Sequence, residues 1–494
     1  MSEDASAAPG PRLPYRAADV QAGGALDALA VERTFGNGDL VRVFDALGIA
    51  GPFRRLSPWE LEDPRGRHLV HAGGYAALPF GEGPPALVAA ARTYLEAFAT
   101  PAFAQQAASE ARAALAANLV ALLAHEAPRH ADDRVLFSNS GAEAIEIALK
   151  LLRAWKPDAP WILTFDGGYH GKTMGALSIT PTEEYQAAFR PLLPGIRSLP
   201  YGDLDAVERE LLVLGADQVA GIVVEPVQGE GGVVTPPEGF LPGLRSLGER
   251  YGVAIVADEI QTGLGRTGHW FASVAGGLDP DVVTLAKPLS GGLVPIGATI
   301  ARPEMMEAML PGFSSRRHSS TFAGNALAMH VGLAALETLV DGRYDLRARE
   351  AGARGRARLD ALAERRPGLL REVRSSGMLF ALVLHDPVAP GLLGNRPALA
   401  RLLASGLGVR SLHRQGVHAI VSLAASGVVR LTPALDMPDE LQATLWDRVD
   451  AFGAAFPQAW RLAASAGPAR LARLASIATR GGPHEGRPAP PSQM

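Results

Sequence analysis

The chain has 494 residues, 47% of them apolar and 20% charged, with a formal net charge of −4 and no cysteine. That length exceeds one ordinary core and implies a large domain with a smaller companion, and the nearly balanced charge gives no long-range attraction for nucleic acid or an anionic membrane. Lack of cysteine excludes disulfides, thiolate nucleophiles, iron–sulfur clusters and cysteine-bound zinc, and it fits a cytoplasmic protein.

Residues 1–24 carry acids at Glu3 and Asp4, are rich in Ala, Gly and Pro, and read as a flexible arm with no signal peptide. A segment from Val31 to Leu47 follows, then Asp63-Pro64-Arg65-Gly66-Arg67-His68, which reads as a hairpin turn between short strands. Apolar spacing predicts helices over 85–98 and 106–125, the second with Leu115, Leu119 and Leu122 on one stripe. A strand at Arg134–Phe137 leads into Ser138-Asn139-Ser140-Gly141-Ala142-Glu143 and a helix with Ile145, Ala148, Leu149 and Leu152 on one face. Such a helix start either binds an anion such as phosphate on its free backbone N–H groups or is a plain N-cap.

The strand Trp161–Phe165 meets Asp166-Gly167-Gly168-Tyr169-His170-Gly171-Lys172-Thr173. Gly-Lys-Thr suggests a P-loop, but only three residues separate Gly167 from Gly171, and the position that requires glycine is Asp166, which repels phosphate. Likewise Gly263-Leu264-Gly265-Arg266-Thr267-Gly268 matches a dinucleotide fingerprint in letters only. It does not start at a strand end and no clear helix follows it.

From Asp217 to Lys287 strands alternate with crossovers, as in a parallel sheet. Gly221–Val224 ends in Glu225-Pro226, Ala254–Ala257 ends in Asp258-Glu259, and Val282–Ala286 ends in Lys287. Several strands ending in charged residues place a site at the carboxyl edge of the sheet. Gly297–Ala301 is the next strand, and His318–Asn325 caps an apolar helix to Val340 that Asn325, His330 and Glu337 interrupt too often for a membrane span. Beyond it come an Arg- and Ala-rich helix, short strands around 377–384 and 428–431, and a helix near 438–456. The predicted division is an N-terminal part of a small domain at 25–75, a large domain at 76–335, the rest of the small domain at 336–456 and an extension at 457–494. Within that extension 468–480 is basic and amphipathic, and the Pro- and Gly-rich end reads as disordered. No histidine pair has metalloprotease spacing, so no metal is expected.

A lysine at one strand end, a carboxylate at its neighbour, a phosphate-binding helix start and an aromatic residue after another strand together describe a pyridoxal phosphate site. The blocks 138–144, 168–173, Glu225–Gly232 and Asp258–Gly268, together with the interval from Asp258 to Lys287, resemble the class III (subgroup II) aminotransferases of fold type I over residues 30–455. The resemblance implies an α/β fold with a mainly parallel seven-stranded sheet between helices plus a smaller α+β domain. It makes Lys287 the Schiff-base lysine and proton shuttle and Asp258 the partner of the pyridine nitrogen. Tyr169 would stack on the ring, Gln261 would lie near the phenolic oxygen, and Ser140, Gly141 and Ala142 would bind the phosphate. Thr321 would complete the site of the other subunit in a homodimer. Arg430 would clamp an α-carboxylate with Glu230 as its movable gate, the alternative being a plain structural ion pair. Glu225, Lys172 and His170 support these residues.

Lysine at 172 stands where 4-aminobutyrate aminotransferases have arginine, and Asn325 and the block 285–301 resemble putrescine-type enzymes. Both point to a diamine or an ornithine derivative as donor and 2-oxoglutarate or pyruvate as acceptor. The pattern departs from the family at Phe80–Pro85 and at Pro288. A racemase or epimerase of the same family is the rival reading, and a non-enzymatic regulator is a third.

Overall fold

The computed structural model describes Ala17, Val20 and residues 26–97, 107–385, 397–422 and 424–456. Apart from Ala17 and Val20, the N-terminal arm lies outside these residues, as do the basic stretch 468–480 and the Pro- and Gly-rich end. Of two compact units, the first includes described residues 26–54 and 63–66, and the second 55–62 and 67–456. In the first unit, the region read from Val31 to Leu47 is two helices, α1 (Ala28–Phe35) and α2 (Gly38–Leu47). Asp27 and Asn37 cap them by accepting from Ala30 N at 3.0 Å and Leu40 N at 3.3 Å.

The second unit is built on a sheet of seven strands: β4 (Arg134–Ser138), β5 (Trp161–Phe165), β6 (Ile196–Leu199), β7 (Val219–Val224), β8 (Ala254–Asp258), β9 (Val282–Leu285) and β10 (Gly297–Ala301). Their order is β4-β10-β9-β8-β7-β5-β6. The run from β9 to β6 is parallel, and β10 is antiparallel to both β9 and β4. This is the mainly parallel seven-stranded sheet expected from the sequence.

Every residue of β7, β8 and β9 is buried because helices cover both faces. Ala220 and Val223 of β7 and Ala254 and Val256 of β8 pack with Ile145, Ala148, Leu149 and Leu152 of α3 (Gly141–Trp155). Ile222, Val224, Ile255 and Ala257 pack on the other face against α4 (Leu204–Leu214) and α5 (Phe240–Tyr251) through Val207, Leu211, Leu244 and Leu247. Each valine, leucine or isoleucine among them contributes about 1.5–3 kcal/mol by leaving water, and each alanine less. Continuing the alternation, Asp258 falls on the α3 side and Glu259 on the other, where it accepts from Ser273 N at 2.6 Å and Ser273 Oγ at 2.7 Å.

Two smaller sheets complete this unit. One joins β1 (Arg54–Ser57), β2 (Glu60–Glu62), β3 (His68–His71) and β13 (Val417–His418). Its β2 and β3 form the expected antiparallel hairpin. The other orders β11 (Leu370–Ser376), β12 (Leu379–Leu384), β15 (Val428–Leu431) and β14 (Ile420–Val421) as β11-β12-β15-β14. Arg430 thus lies on an inner strand, opposite Ala381 and Ile420. One predicted stripe is shifted: in the helix Glu110–Glu126 the buried leucines are Leu115, Leu119 and Leu123, spaced four apart, and Leu122 is only half-buried.

Candidate active site

The strand ends gather the site, and Lys287 is its centre. Residue 287 opens a single 3₁₀ turn, Lys287–Ser290, in which Pro288 takes an early position that its fixed φ suits. The lysine is half-buried, and among the described residues its amine forms no hydrogen bond or ion pair. Burial holds its pKa below the usual lysine range, against the opposing pull of the Glu230 and Asp258 carboxylates.

Asp258 Oδ2 is 2.7 Å from His170 Nδ1, and both side chains are buried. Its Oδ1 accepts from Ile260 N at 3.1 Å and from Thr284 Oγ1 at 3.4 Å. Burial works to lower the pKa of His170, but the hydrogen bond and charge of Asp258 outweigh it and raise the value. The Asp258 carboxylate therefore holds His170 toward the imidazolium form. Glu225, just past the end of β7, accepts from Tyr169 N at 2.8 Å and Gly229 N at 3.0 Å. Burial pushes its pKa up to about 7.

Gly171 brings the loop after β5 against the start of α3. Its φ is +129°, and a Cβ there would lie 2.7 Å from Ala142 Cβ. At that helix start the Ser140 hydroxyl accepts from Glu143 N at 3.2 Å, and Glu143 accepts from Asn139 N at 2.7 Å. The N–H groups of Gly141 and Ala142 have no acceptor within the helix, being in its first turn. Tyr169 is half-buried in the same loop.

On the other side, fully enclosed Arg430 bonds to Glu230 through Nη2 and donates from Nη1 to Gln261 Oε1 at 3.0 Å and Gly229 O at 3.2 Å. Among the described residues its Nε has no partner. Gly229 permits this arrangement, since a Cβ would sit 1.6 Å from Gln261 Oε1. A lysine amine without a hydrogen-bond partner among the described residues, a carboxylate oriented by His170, an anion-binding helix start and a carboxylate-matching guanidinium form a donor set that fits pyridoxal phosphate. Among the described residues no group of three His, Cys, Asp or Glu could hold a metal ion.

The model of the class-III aminotransferase family matches residues 57–450. The chain belongs to that family.

An acetylornithine aminotransferase from Methanopyrus kandleri is 43% identical to this class-III chain over 265 residues, which is 54% of the chain and 64% of that protein. The match thus spans less than two thirds of that curated relative. Among solved structures, ornithine aminotransferase from Toxoplasma gondii superposes with a TM-score of 0.72 at 29% identity, covering 82% of this chain and 91% of that one. Acetylornithine aminotransferase from Elizabethkingia anophelis gives 0.66 at 28% identity, covering 82% and 94%. A PLP-bound amine transaminase from an uncultivated Pseudomonas species gives 0.72 at 27%, covering 81% and 94%.

In this class-III aminotransferase the two rejected motifs have other uses. Residues 264–268 form turns, followed only by the one-turn helix Ala272–Ala275, and fully buried Arg266 donates to Pro433 O at 2.6 Å. Lys172 is exposed, with its Nζ 4.0 Å from the ring centroid of Tyr185. Thr321 is exposed, and its neighbour Ser320 accepts from Asn139 Nδ2 at 2.9 Å. Sequence reasoning missed Tyr75 and Tyr185. Tyr75 has φ +51°, offers its carbonyl to Gln261 Nε2 at 3.4 Å, and lies in the field of Glu230 and Arg430. Its one signal was the pair Gly73-Gly74 ahead of an aromatic residue.

Proposed function

We propose that the protein is a pyridoxal 5′-phosphate-dependent aminotransferase that moves the amino group of a terminal amine to a 2-oxo acid, 2-oxoglutarate or pyruvate. The observation that carries this reading is the partner-free amine of Lys287 within the field of an Asp258 already paired to His170. When bound, the cofactor supplies an aldehyde that condenses with amines and a ring that withdraws electrons. Lys287 Nζ would be the amine that holds the cofactor and the base that takes the proton from the donor carbon, a task its lowered pKa suits. Asp258, oriented by His170, would pair with the ring nitrogen and favour its protonated form. Tyr169 covers the ring, and Gly141, Ala142 and Ser140 hold the phosphate at the start of α3. Gln261 orients the phenolic oxygen and Arg430 together.

Arg430 receives the carboxylate of the 2-oxo acid, and Glu230 neutralises it while an amine without an α-carboxylate is bound. The position of Lys172 over Tyr185 supports a donor whose far end needs no bidentate clamp, a diamine or an ornithine derivative. The relatives named above are aminotransferases, and no geometry here favours racemisation. We also infer a cytoplasmic homodimer in which Thr321 completes the neighbouring site. Within the second unit, 76–335 would form the large part and 336–456 the smaller. Among the described residues no helix is long and apolar enough to cross a membrane.

The test is a panel of diamines, ornithine derivatives and 4-aminobutyrate added to purified holoenzyme, with coenzyme absorbance followed through a single half-reaction. Conversion by diamines or ornithine derivatives, reversed by a 2-oxo acid, is expected. No spectral change with any amine would remove the proposal, and stereoinversion without consumption of 2-oxo acid would replace it with racemisation.

A further inference from the structure

Glu225 is an enclosed carboxylate that the transfer reaction above does not use. It directly follows β7 and faces two loops at once, with Oε1 accepting from Tyr169 N at 2.8 Å and Oε2 from Gly229 N at 3.0 Å. The first loop carries the aromatic ring Tyr169, and the second carries Glu230. A further stitch joins the same loops where Gln228 Nε2 donates to Asp166 O at 2.8 Å. From the far side, Glu230 O accepts from Ala424 N at 3.2 Å and from the Ser422 hydroxyl, while Gly229 O accepts from Arg430. The backbone at 229–230 is therefore held on both flanks, and only the Glu230 side chain is left to swing.

We propose that Glu225 is a positioning residue whose single carboxylate locks the Tyr169 loop to the Glu230 loop, so that the Arg430 gate opens by side-chain rotation over a fixed backbone. The groups around it are His170 and Tyr169 from the loop after β5, Asp258 from β8, Lys287 after β9, and Tyr201, whose hydroxyl donates to Glu225 O at 2.8 Å. Burial, with Asp258 adding to it and His170 opposing, places the carboxyl near neutrality. A neutral carboxyl presents one carbonyl acceptor and one O–H, so after protonation the Tyr169 and Gly229 N–H groups compete for a single acceptor and each is bonded only part of the time. The lock should thus loosen as pH falls through about 7.

Glu225→Gln keeps the shape and removes one acceptor. Hydrogen-exchange mass spectrometry of holoenzyme should show peptides spanning 166–171 and 227–231 exchanging roughly tenfold faster or more in the variant, the order that a hydrogen bond to a buried charged acceptor supplies. In the wild type, protection of both peptides, corrected for intrinsic exchange, should fall together between pH 8.5 and pH 6, and the variant should lack that dependence. Unchanged exchange in either peptide of a folded variant overturns the lock. Should the variant not fold, flat wild-type protection across that pH range overturns it. A kinetic arm rests on the aminotransferase reading, whereas the exchange arm does not: the variant's KM for the 2-oxo acid should rise about tenfold while donor KM holds. A change confined to kcat would contradict the role at the gate.

Discussion

Removing Glu230 tests the electrostatics of the gate directly. Arg430 is fully enclosed and the Glu230 side chain is 4% exposed, so Glu230→Ala strands a guanidinium that water cannot reach. Breaking such a pair from one side costs about 3–5 kcal/mol. Here Gln261 Oε1 at 3.0 Å and Gly229 O at 3.2 Å still accept from Nη1, which places the loss at the lower end, about 3 kcal/mol. Equilibrium urea unfolding of the holoenzyme at pH 7.5 would read it. Adding 2-oxoglutarate should then restore more stability to the variant than to the wild type at equal concentration, because its carboxylate no longer competes with Glu230. At a hundredfold excess over Kd the gain is about 2.7 kcal/mol, nearly the whole deficit. A variant within about 0.5 kcal/mol of wild type would refute the reasoning, since that is the range of an ordinary surface substitution. A full loss that the acceptor does not relieve would make the pair structural only.

Lys287→Ala should abolish turnover yet retain cofactor through the start of α3, and borohydride should fix coenzyme covalently to the wild type alone, as intact mass would show. For His170→Asn the sign follows from a raised folded pKa: the stability contributed by imidazolium beside Asp258 is complete below the unfolded value of about 6.5 and is lost as pH rises through the higher folded value. Unfolding free energy measured from pH 6 to 9 should therefore decline less steeply in the variant, and an unchanged slope would contradict the pairing. Gly229→Ala places a Cβ 1.6 Å from Gln261 Oε1, a flexible side-chain end. The fold should survive while Gln261 leaves Arg430 and KM for the 2-oxo acid rises roughly tenfold, an effect that steady-state kinetics with the acceptor varied would measure.

The core of the large sheet was legible because its central strands are short, almost wholly apolar and lead into charged residues. Val219–Val224, Ala254–Asp258 and Val282–Leu285 could not be solvated on either face, and the charges that stop them had to meet at one edge. The peripheral pieces left weaker marks. β13 and β14 have two residues each, too few for an alternation to show, and the helix Pro397–Arg414 carries Gly406 and Gly408 within it. That β10 runs antiparallel is a matter of which neighbours it meets, and Gly297–Ala301 reads the same in either direction. In the site, residues at strand ends and in glycine-rich turns were legible. Tyr75 and Tyr185 were not, since one sits on a turn and the other in the one-turn helix Glu183–Gln186, and where each falls depends on distant packing.

Because β10 reverses direction, the polypeptide leaves the sheet after Leu285 and returns at Gly297 on the same edge, with Ala298 directly opposite Leu285. The span bearing Lys287 is thus a short excursion tied at both ends to adjacent inner strands, and closing it costs little chain entropy. Such a span opens only when the centre of the sheet itself gives way. Under gradual denaturation the reactive amine should stay seated after the outlying sheets have come apart, so that loss of substrate recognition precedes loss of the coenzyme's anchor.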